Sequence, residues 1–166
     1  MDRYREIARI SHDLIMENTP QWPTHLPVGA VRFARPTAHY DECLKFYRDD
    51  LELPVLAAWR GHNDYDGVVF GLPATPVHFE LTQYGDAPSI PASSTENQIV
   101  LYLTGPEAVA DAVARLAERG HQPVEIENRY WARRGAKSFA DPDGWIVILA
   151  PWVFGVDPVP TVSEEV

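Results

Sequence analysis

The chain has 166 residues, of which 45% are hydrophobic and 23% charged, a composition typical of one globular domain rather than of a disordered segment. Its 24 acidic residues outnumber its 14 basic ones, and the formal net charge of -10 disfavours a nucleic-acid partner because phosphates would be repelled. No apolar run approaches the roughly 20 residues that span a bilayer, so we expect no membrane partner. A single cysteine, Cys43, and a charged beginning without the apolar centre of a signal peptide predict a cytoplasmic protein.

The first segment predicts a helix that precedes the main domain. Residues 1–18 carry apolar side chains at helical spacing, and Thr19, Pro20 and Pro23 then break the pattern. Residues 1–27 therefore form an N-terminal helix and an irregular connector. We expect the helix to pack onto the domain or onto a second copy of the chain.

A repeat of about 55 residues organises the rest of the chain. Unit one comprises residues 28–83 and unit two residues 97–151, separated by a polar, proline-rich linker at 84–96. Each unit reads as a strand, a helix and three short strands, predicted at 29–36, 39–53, 54–59, 67–72 and 76–82 in unit one and at 98–104, 105–120, 123–127, 135–140 and 145–151 in unit two. Residues 152–166 form an acidic tail, of which we expect residues 155–166 to be loosely held.

Two turns and one buried thiol are predicted within this pattern. The run "DPDG" at 141–144 suits a type I turn between the last two strands, and Asp66 with Gly67 suits a turn within "RGHNDYDG". Cys43 falls on the apolar side of the first helix, which predicts an inert core thiol.

Several of these runs resemble a known family. "FYRDDLEL" at the end of the first helix and "FADPDGWIVIL" at the end of unit two resemble the vicinal-oxygen-chelate superfamily of glyoxalase, bleomycin-resistance and extradiol-dioxygenase proteins. "HNDYDGVVFGLP", "VHFELT", "ENQIVLYL" and "NRYW" are similar to a poorly characterised bacterial and fungal branch of it. The resemblance covers residues 28–151 and implies an α+β fold. In that fold two tandem βαβββ units form a U-shaped cleft, here preceded by the extra N-terminal helix.

The resemblance also implies where a metal would be held, namely on the first and last strands of each unit. These positions fall on Val31 or Arg32, on Glu80, on Gln98 and on Ile148. Glu80 and Gln98 can ligate a divalent metal, whereas the other two positions cannot. Two cofactor states therefore stay open: a divalent metal held by Glu80, Gln98 and His78, or none.

The run "VHFELT" contains the residues most strongly predicted to be catalytic, Glu80 and His78. Strand alternation places His78, Glu80 and Thr82 on one face and the apolar residues between them on the other. A histidine and a carboxylate on one face are typical of acid–base catalysis or of shared metal coordination. Hydrogen-bonded cleft residues without a catalytic role are the structural alternative.

A second set of residues is predicted to bind the substrate. Gln98 and Tyr102 share a face of their strand by alternation, and the loop "NRYWARRG" carries aromatic rings that suit stacking on a planar ligand. The arginines of that loop either draw a carboxylate or phosphate or are simply solvated. The predicted substrate-binding residues are His62, Gln98, Tyr102, Asn128, Tyr130 and Trp131.

Two functions follow from these residues. The first is a lyase or isomerase that acts on a small oxygenated metabolite, with Glu80 as base or metal ligand and His78 as acid or second ligand. The second is a metal-free, non-catalytic binding protein of the bleomycin-resistance type. A small molecule is the expected partner in both, and a homodimer bridged by the N-terminal helix is compatible with either.

Overall fold

The computed structural model describes residues 24–26, 28–71, 76–85, 94–153 and 156–161. The predicted N-terminal helix at 1–18 lies outside the described residues, as do most of the linker and the end of the tail. Among the helices of the described ranges, none combines the length and apolar character that crossing a membrane requires.

Unit one has the predicted order of one strand, one helix and three strands. Its sheet has the strand order β1-β4-β3-β2, in which β1 runs parallel to β4 and the other pairs are antiparallel. The helix α1 continues directly as one π-helical segment. The elements are β1 Val31–Pro36, α1 Tyr40–Leu44, the π-helix Lys45–Asp50, β2 Val55–His62, β3 Tyr65–Phe70 and β4 Val77–Tyr84.

The turn predicted at Asp66 and Gly67 is wrong. The β2–β3 hairpin turns instead at Asn63 and Asp64, whose φ angles are 52° and 66°. Asparagine and aspartate tolerate this left-handed conformation, which a two-residue hairpin turn requires at both positions. Asp66 and Gly67 consequently lie within β3, so the strand begins two residues earlier than the pattern indicated.

Unit two repeats the order with one strand fewer. Its sheet has the order β5-β7-β6, with β5 parallel to β7. The strand predicted at 123–127 is not formed, because a single backbone bond, from Val124 N–H to the carbonyl oxygen of Ser138 at 2.8 Å, joins this segment to β6. The elements are β5 Gln98–Tyr102, α2 Pro106–Glu118, the 3-10 helix Ala132–Arg134, β6 Lys137–Ala140 and β7 Ile146–Ala150.

The helix-covered faces of the two sheets share one hydrophobic core. Each helix places its apolar stripe on the core, and the alternate residues of the strands complete it. The buried members are Tyr40, Cys43, Phe46, Tyr47, Val68, Phe70, Leu81, Val109, Ala112, Leu116, Phe139, Val147 and Leu149. The fold is α+β with two tandem units, as predicted, and the other face of each sheet is turned away from this core.

Candidate functional site

The face of the first sheet that is turned away from the hydrophobic core carries the polar residues predicted to take part in catalysis. Strand register places Arg32 opposite His78 across the β1–β4 pair, and Thr82 opposite Gly67 across the β3–β4 pair. Because paired residues in a sheet point to the same side, the side chains of this set share one face with Glu80. We call this surface the β4 face and define it by Arg32, Trp59, Gly67, His78, Glu80 and Thr82.

An ion pair occupies the centre of the β4 face. Arg32 donates from Nη1 to Oε2 of Glu80 at 2.9 Å, across the two parallel strands. The Arg32 side chain is 49% exposed and the Glu80 side chain 13%. The carboxylate is thus held by a guanidinium from the neighbouring strand, while the guanidinium keeps one side open to solvent.

His78 lies on the same face with one nitrogen unsatisfied. Its Nε2 is buried and has no hydrogen-bond partner among the described residues. Leaving a buried polar atom unpaired costs about 1–3 kcal/mol, which a bound partner would recover. The predicted grouping of His78 with Glu80 on one face is confirmed as geometry; a catalytic role for either residue stays a prediction.

Trp59, which the sequence did not single out, packs its ring against Gly67 of this sheet. Trp59 pairs with Gly67, and a Cβ placed on that glycine would lie 2.1 Å from the indole ring. The absence of a side chain at Gly67 therefore allows the ring to lie against β3. This puts a half-buried aromatic surface over Gly67 of β3, the strand next to β4.

His62 ends β2, at the opposite edge of the sheet from β1. It is exposed and pairs with Tyr65, whose ring packs against that of Tyr84 at 4.8 Å. Strand β3 separates it from β4, so the structure does not bring it to the ion pair.

The predicted substrate-binding residues of unit two form a separate aromatic cluster. Trp131 and Trp152 stack at 5.7 Å, and the rings of Tyr130 and Tyr102 lie within 6.5 Å of both. Trp131 donates from Nε1 to Oε1 of Gln98 at 3.2 Å, which fixes the loop against the outward face of β5.

Two other residues show how the structure changes the expectation for this region. Asn128 accepts a bond from Tyr130 N–H at 3.0 Å and so shapes the loop. Trp152, assigned from the sequence to the acidic tail, is 2% exposed and packs in a hydrophobic cluster with residues of unit two. The unit-two residues predicted to bind substrate thus contact one another, and their described contacts lie within unit two.

Comparison with known proteins decides the family. Residues 31–82 match the YycE-like N-terminal domain, and residues 96–151 match the YycE-like C-terminal domain. The uncharacterised protein YycE of Bacillus subtilis (strain 168) is 38% identical over 119 residues, which are 72% of this chain and 85% of YycE. The chain belongs to the YycE-like family.

The chain shares its fold with solved structures of glyoxalase-like and antibiotic-binding proteins, in agreement with the resemblance. The crystal structure of Bacillus subtilis YycE is similar with a TM-score of 0.72 and 31% identity, covering 87% of this chain and all of YycE. Glyoxalase I of Leishmania major has a TM-score of 0.57 at 21% identity, with 72% and 84% of the two chains covered. TnmS3, an antibiotic-binding protein of Streptomyces sp. CB03234, has a TM-score of 0.54 at 21% identity, with 74% and 94% covered. At these identities the last two similarities show the fold alone.

The donor set of this YycE-like chain does not fit a divalent metal. Of the two β1 positions that the resemblance implied, Arg32 shares a face with Glu80, and its guanidinium holds that carboxylate. The second-unit positions are Gln98, whose oxygen is bonded to an indole, and Ile148, which is fully buried in apolar surroundings. Within the part of the chain that the structure describes, no three histidine, cysteine or acidic side chains gather as a metal site would require. Of the predicted set of Glu80, His78 and Gln98, Glu80 and Gln98 are each hydrogen-bonded to another side chain, and a metal held by the three stays a prediction.

A buried polar network joins the two units beneath this site. Arg35, 2% exposed, donates to the carboxylates of Asp141 and, at 2.6 Å, Asp143, both in the turn between β6 and β7. The bond from Gly144 N–H to the carbonyl oxygen of Asp141 confirms the predicted turn. Tyr47 donates its hydroxyl to Asp141 at 2.7 Å. The sequence signal was a charged residue at a core-facing strand position, which requires a buried partner.

The network perturbs the groups it contains. Burial alone would raise the pKa of Asp143, but bonds from Arg35 and His39 outweigh it and lower the pKa to about 2. A bond to Asp143 raises the pKa of His39 above its ordinary 6.5. Cys43 is fully buried, as predicted, and burial raises the pKa of its thiol to about 12, which disfavours the reactive thiolate.

Proposed function

We propose that this protein binds a small organic molecule on the β4 face without a resident metal ion, and sequesters the molecule rather than transforming it. The ion pair between Arg32 and Glu80 carries the proposal. A cationic side chain stands at a position where the superfamily places a metal ligand, and it neutralises the one carboxylate that could bind the ion. The β4 face thus has the polarity and the aromatic surface of a ligand site. Among the described residues, no third histidine, cysteine or acidic side chain joins His78 and Glu80 there to complete a metal site.

A similar structure supports the binding half of this proposal. TnmS3, which shares the fold, is an antibiotic-binding protein. The fold is therefore compatible with binding as a function in itself. On this chain, Trp59 would supply a flat apolar surface of the kind that planar ligands require.

Lyase or isomerase activity is the second candidate, and His78 favours it. Its buried, unpartnered Nε2 lies on the same face as Glu80 and could exchange a proton with a bound substrate. The pairing of Glu80 with Arg32 opposes this candidate, because one carboxylate oxygen already accepts a hydrogen bond from the guanidinium. In this candidate His78 would be the proton-transfer group and Glu80 its charged neighbour.

The metal half of the proposal is tested by elemental mass spectrometry. Three proteins are incubated with iron, manganese, nickel or zinc and then dialysed: wild type, Glu80→Ala and the control Glu107→Ala. Glu107 is an exposed residue of α2. We expect substoichiometric metal in all three. One ion per chain that disappears only in Glu80→Ala would overturn the metal-free proposal.

The fate of a bound ligand separates the two candidate functions. Ligands found by calorimetric screening are incubated with the protein and recovered for mass spectrometry. Recovery of unchanged ligand supports sequestration. A product that forms in wild type and is abolished in Glu80→Gln or His78→Gln, with affinity retained, would establish the lyase or isomerase instead.

Three other expectations remain proposals. A homodimer is supported by apolar side chains exposed on or beside the edge strand β1, where Val31, Phe33 and Val77 are 46%, 44% and 63% exposed. Light scattering after size-exclusion chromatography tests the homodimer, and Phe33→Glu should give monomers.

The aromatic cluster of unit two would contribute to ligand binding through rearrangement of Trp131. A cytoplasmic location is supported by the buried, unpaired Cys43.

A further inference from the structure

The β4 face presents a hydrogen-bond donor and an acceptor side by side. Arg32 uses one of its five guanidinium N–H groups on Glu80, and its side chain is half exposed. Glu80 accepts that bond through Oε2, and no described residue donates to its Oε1. The pair is locally neutral, so it favours a neutral polar group over an anion or a cation.

An aromatic platform lies within one ligand's length of this pair. Val69 pairs with Glu80, and Gly67, beneath the Trp59 indole, is two residues along the same strand. Diagonal neighbours of this kind on adjacent strands are about 7–8 Å apart. A fused two-ring heterocycle has this length, so one molecule can stack on the indole and reach the ion pair.

We propose that Arg32, Glu80 and Trp59 form a binding site for a planar heterocycle that carries a carbonyl acceptor and an N–H donor on neighbouring ring positions. Arg32 donates to the carbonyl, Glu80 accepts from the ring N–H, and the indole stacks on the ring. This assignment rests on the proposed binding function and names its ligand class.

The test uses three probes of similar size, measured by isothermal titration calorimetry. Quinolin-2-one has the ring, the donor and the acceptor; 2-methoxyquinoline has the ring without the N–H; 2-naphthoate has a ring and an anion. We expect quinolin-2-one to bind about tenfold or more tightly than either, because it alone makes both charge-assisted bonds. Equal or tighter binding of 2-methoxyquinoline or 2-naphthoate would overturn the proposed ligand class.

Variants assign the effect to residues. Glu80→Met should weaken quinolin-2-one about tenfold and leave 2-methoxyquinoline unchanged, since only the first uses the acceptor. Arg32→Met should weaken quinolin-2-one and 2-methoxyquinoline alike, since each offers an acceptor to the guanidinium. Arg115→Met is the matched control, because Arg115 also faces a surface glutamate, Glu52 at 3.7 Å, but lies on α2. Equal losses for both probes in Glu80→Met would refute the acceptor role.

The platform is tested separately, because removing a tryptophan can also unfold the protein. Trp59→Leu should abolish binding of all three probes, and Trp59→Phe should restore part of it if both variants melt near wild type. Probe binding by Trp59→Leu that is as tight as by wild type would overturn the proposed site. Trp59-dependent binding of all three probes without preference would leave the proposed function intact and refute the heterocycle assignment alone.

Discussion

Arg35 offers the most direct test of what holds the two units together. Its guanidinium is 2% exposed and bonds two carboxylates of unit two whose side chains are fully buried. Arg35→Met keeps most of the aliphatic stem and removes the positive charge. The change leaves Asp141 and Asp143 as a buried pair of like charges with fewer hydrogen-bond donors.

The expected loss is large relative to the stability of a domain. Removing one partner of a buried ion pair typically costs about 3–5 kcal/mol, whereas a whole domain is stable by about 5–15 kcal/mol. Since Asp141 keeps Tyr47 and Asp143 keeps His39 as donors, we expect a loss of about 3 kcal/mol rather than complete unfolding.

Urea unfolding followed by tryptophan fluorescence measures this loss. At a typical slope of about 2 kcal/mol per molar urea, the midpoint should fall by about 1.5 M. Arg48→Met is the control, because the pair of Arg48 with Asp49 is about half exposed and should contribute less than about 1 kcal/mol.

Combining Arg35→Met with Asp141→Asn and Asp143→Asn should recover part of the lost free energy of unfolding, because neutral amides then replace the two buried, unpaired carboxylates. A loss below about 1 kcal/mol for Arg35→Met, or no difference from Arg48→Met, would refute the view that this network joins the units.

Three further predictions concern single sites. Gly67→Ala should destabilise the protein by about 1–3 kcal/mol and shift tryptophan emission, because the new Cβ displaces the Trp59 ring; unchanged emission would contradict the contact. Because its pKa is raised in the folded state, His39 should stabilise the protein fully below pH 6.5 and lose this effect as pH rises through the folded value. The urea midpoints of wild type and His39→Gln should therefore converge as the pH is raised above 6.5, and a constant difference would refute the link to Asp143. Leu116→Ala, at a position 1% exposed, should cost about 2–5 kcal/mol by chemical denaturation, and a loss under about 1 kcal/mol would place Leu116 outside the shared core.

The sequence by itself determined the order of elements and most of their faces. Helical and strand periodicities are local, so they predicted α2, all four strands of unit one and the common face of His78 and Glu80. The turn at 141–144 was also predicted, because proline and glycine act through their own backbone angles. The strand at 123–127 was not formed, because a strand needs a partner that the local pattern does not reveal.

The tertiary structure alone decided the chemistry of the site. Arg32 and Glu80 are 48 residues apart, and only the parallel register of β1 on β4 brings them together. The same holds for Trp59 on Gly67 and for Arg35 with the aspartates of unit two, whose contacts depend on strand register and on how the units pack. Periodicity gives the side of an element on which a residue lies but not the residue that it meets there, so the charge that faces Glu80 could be found only in the fold.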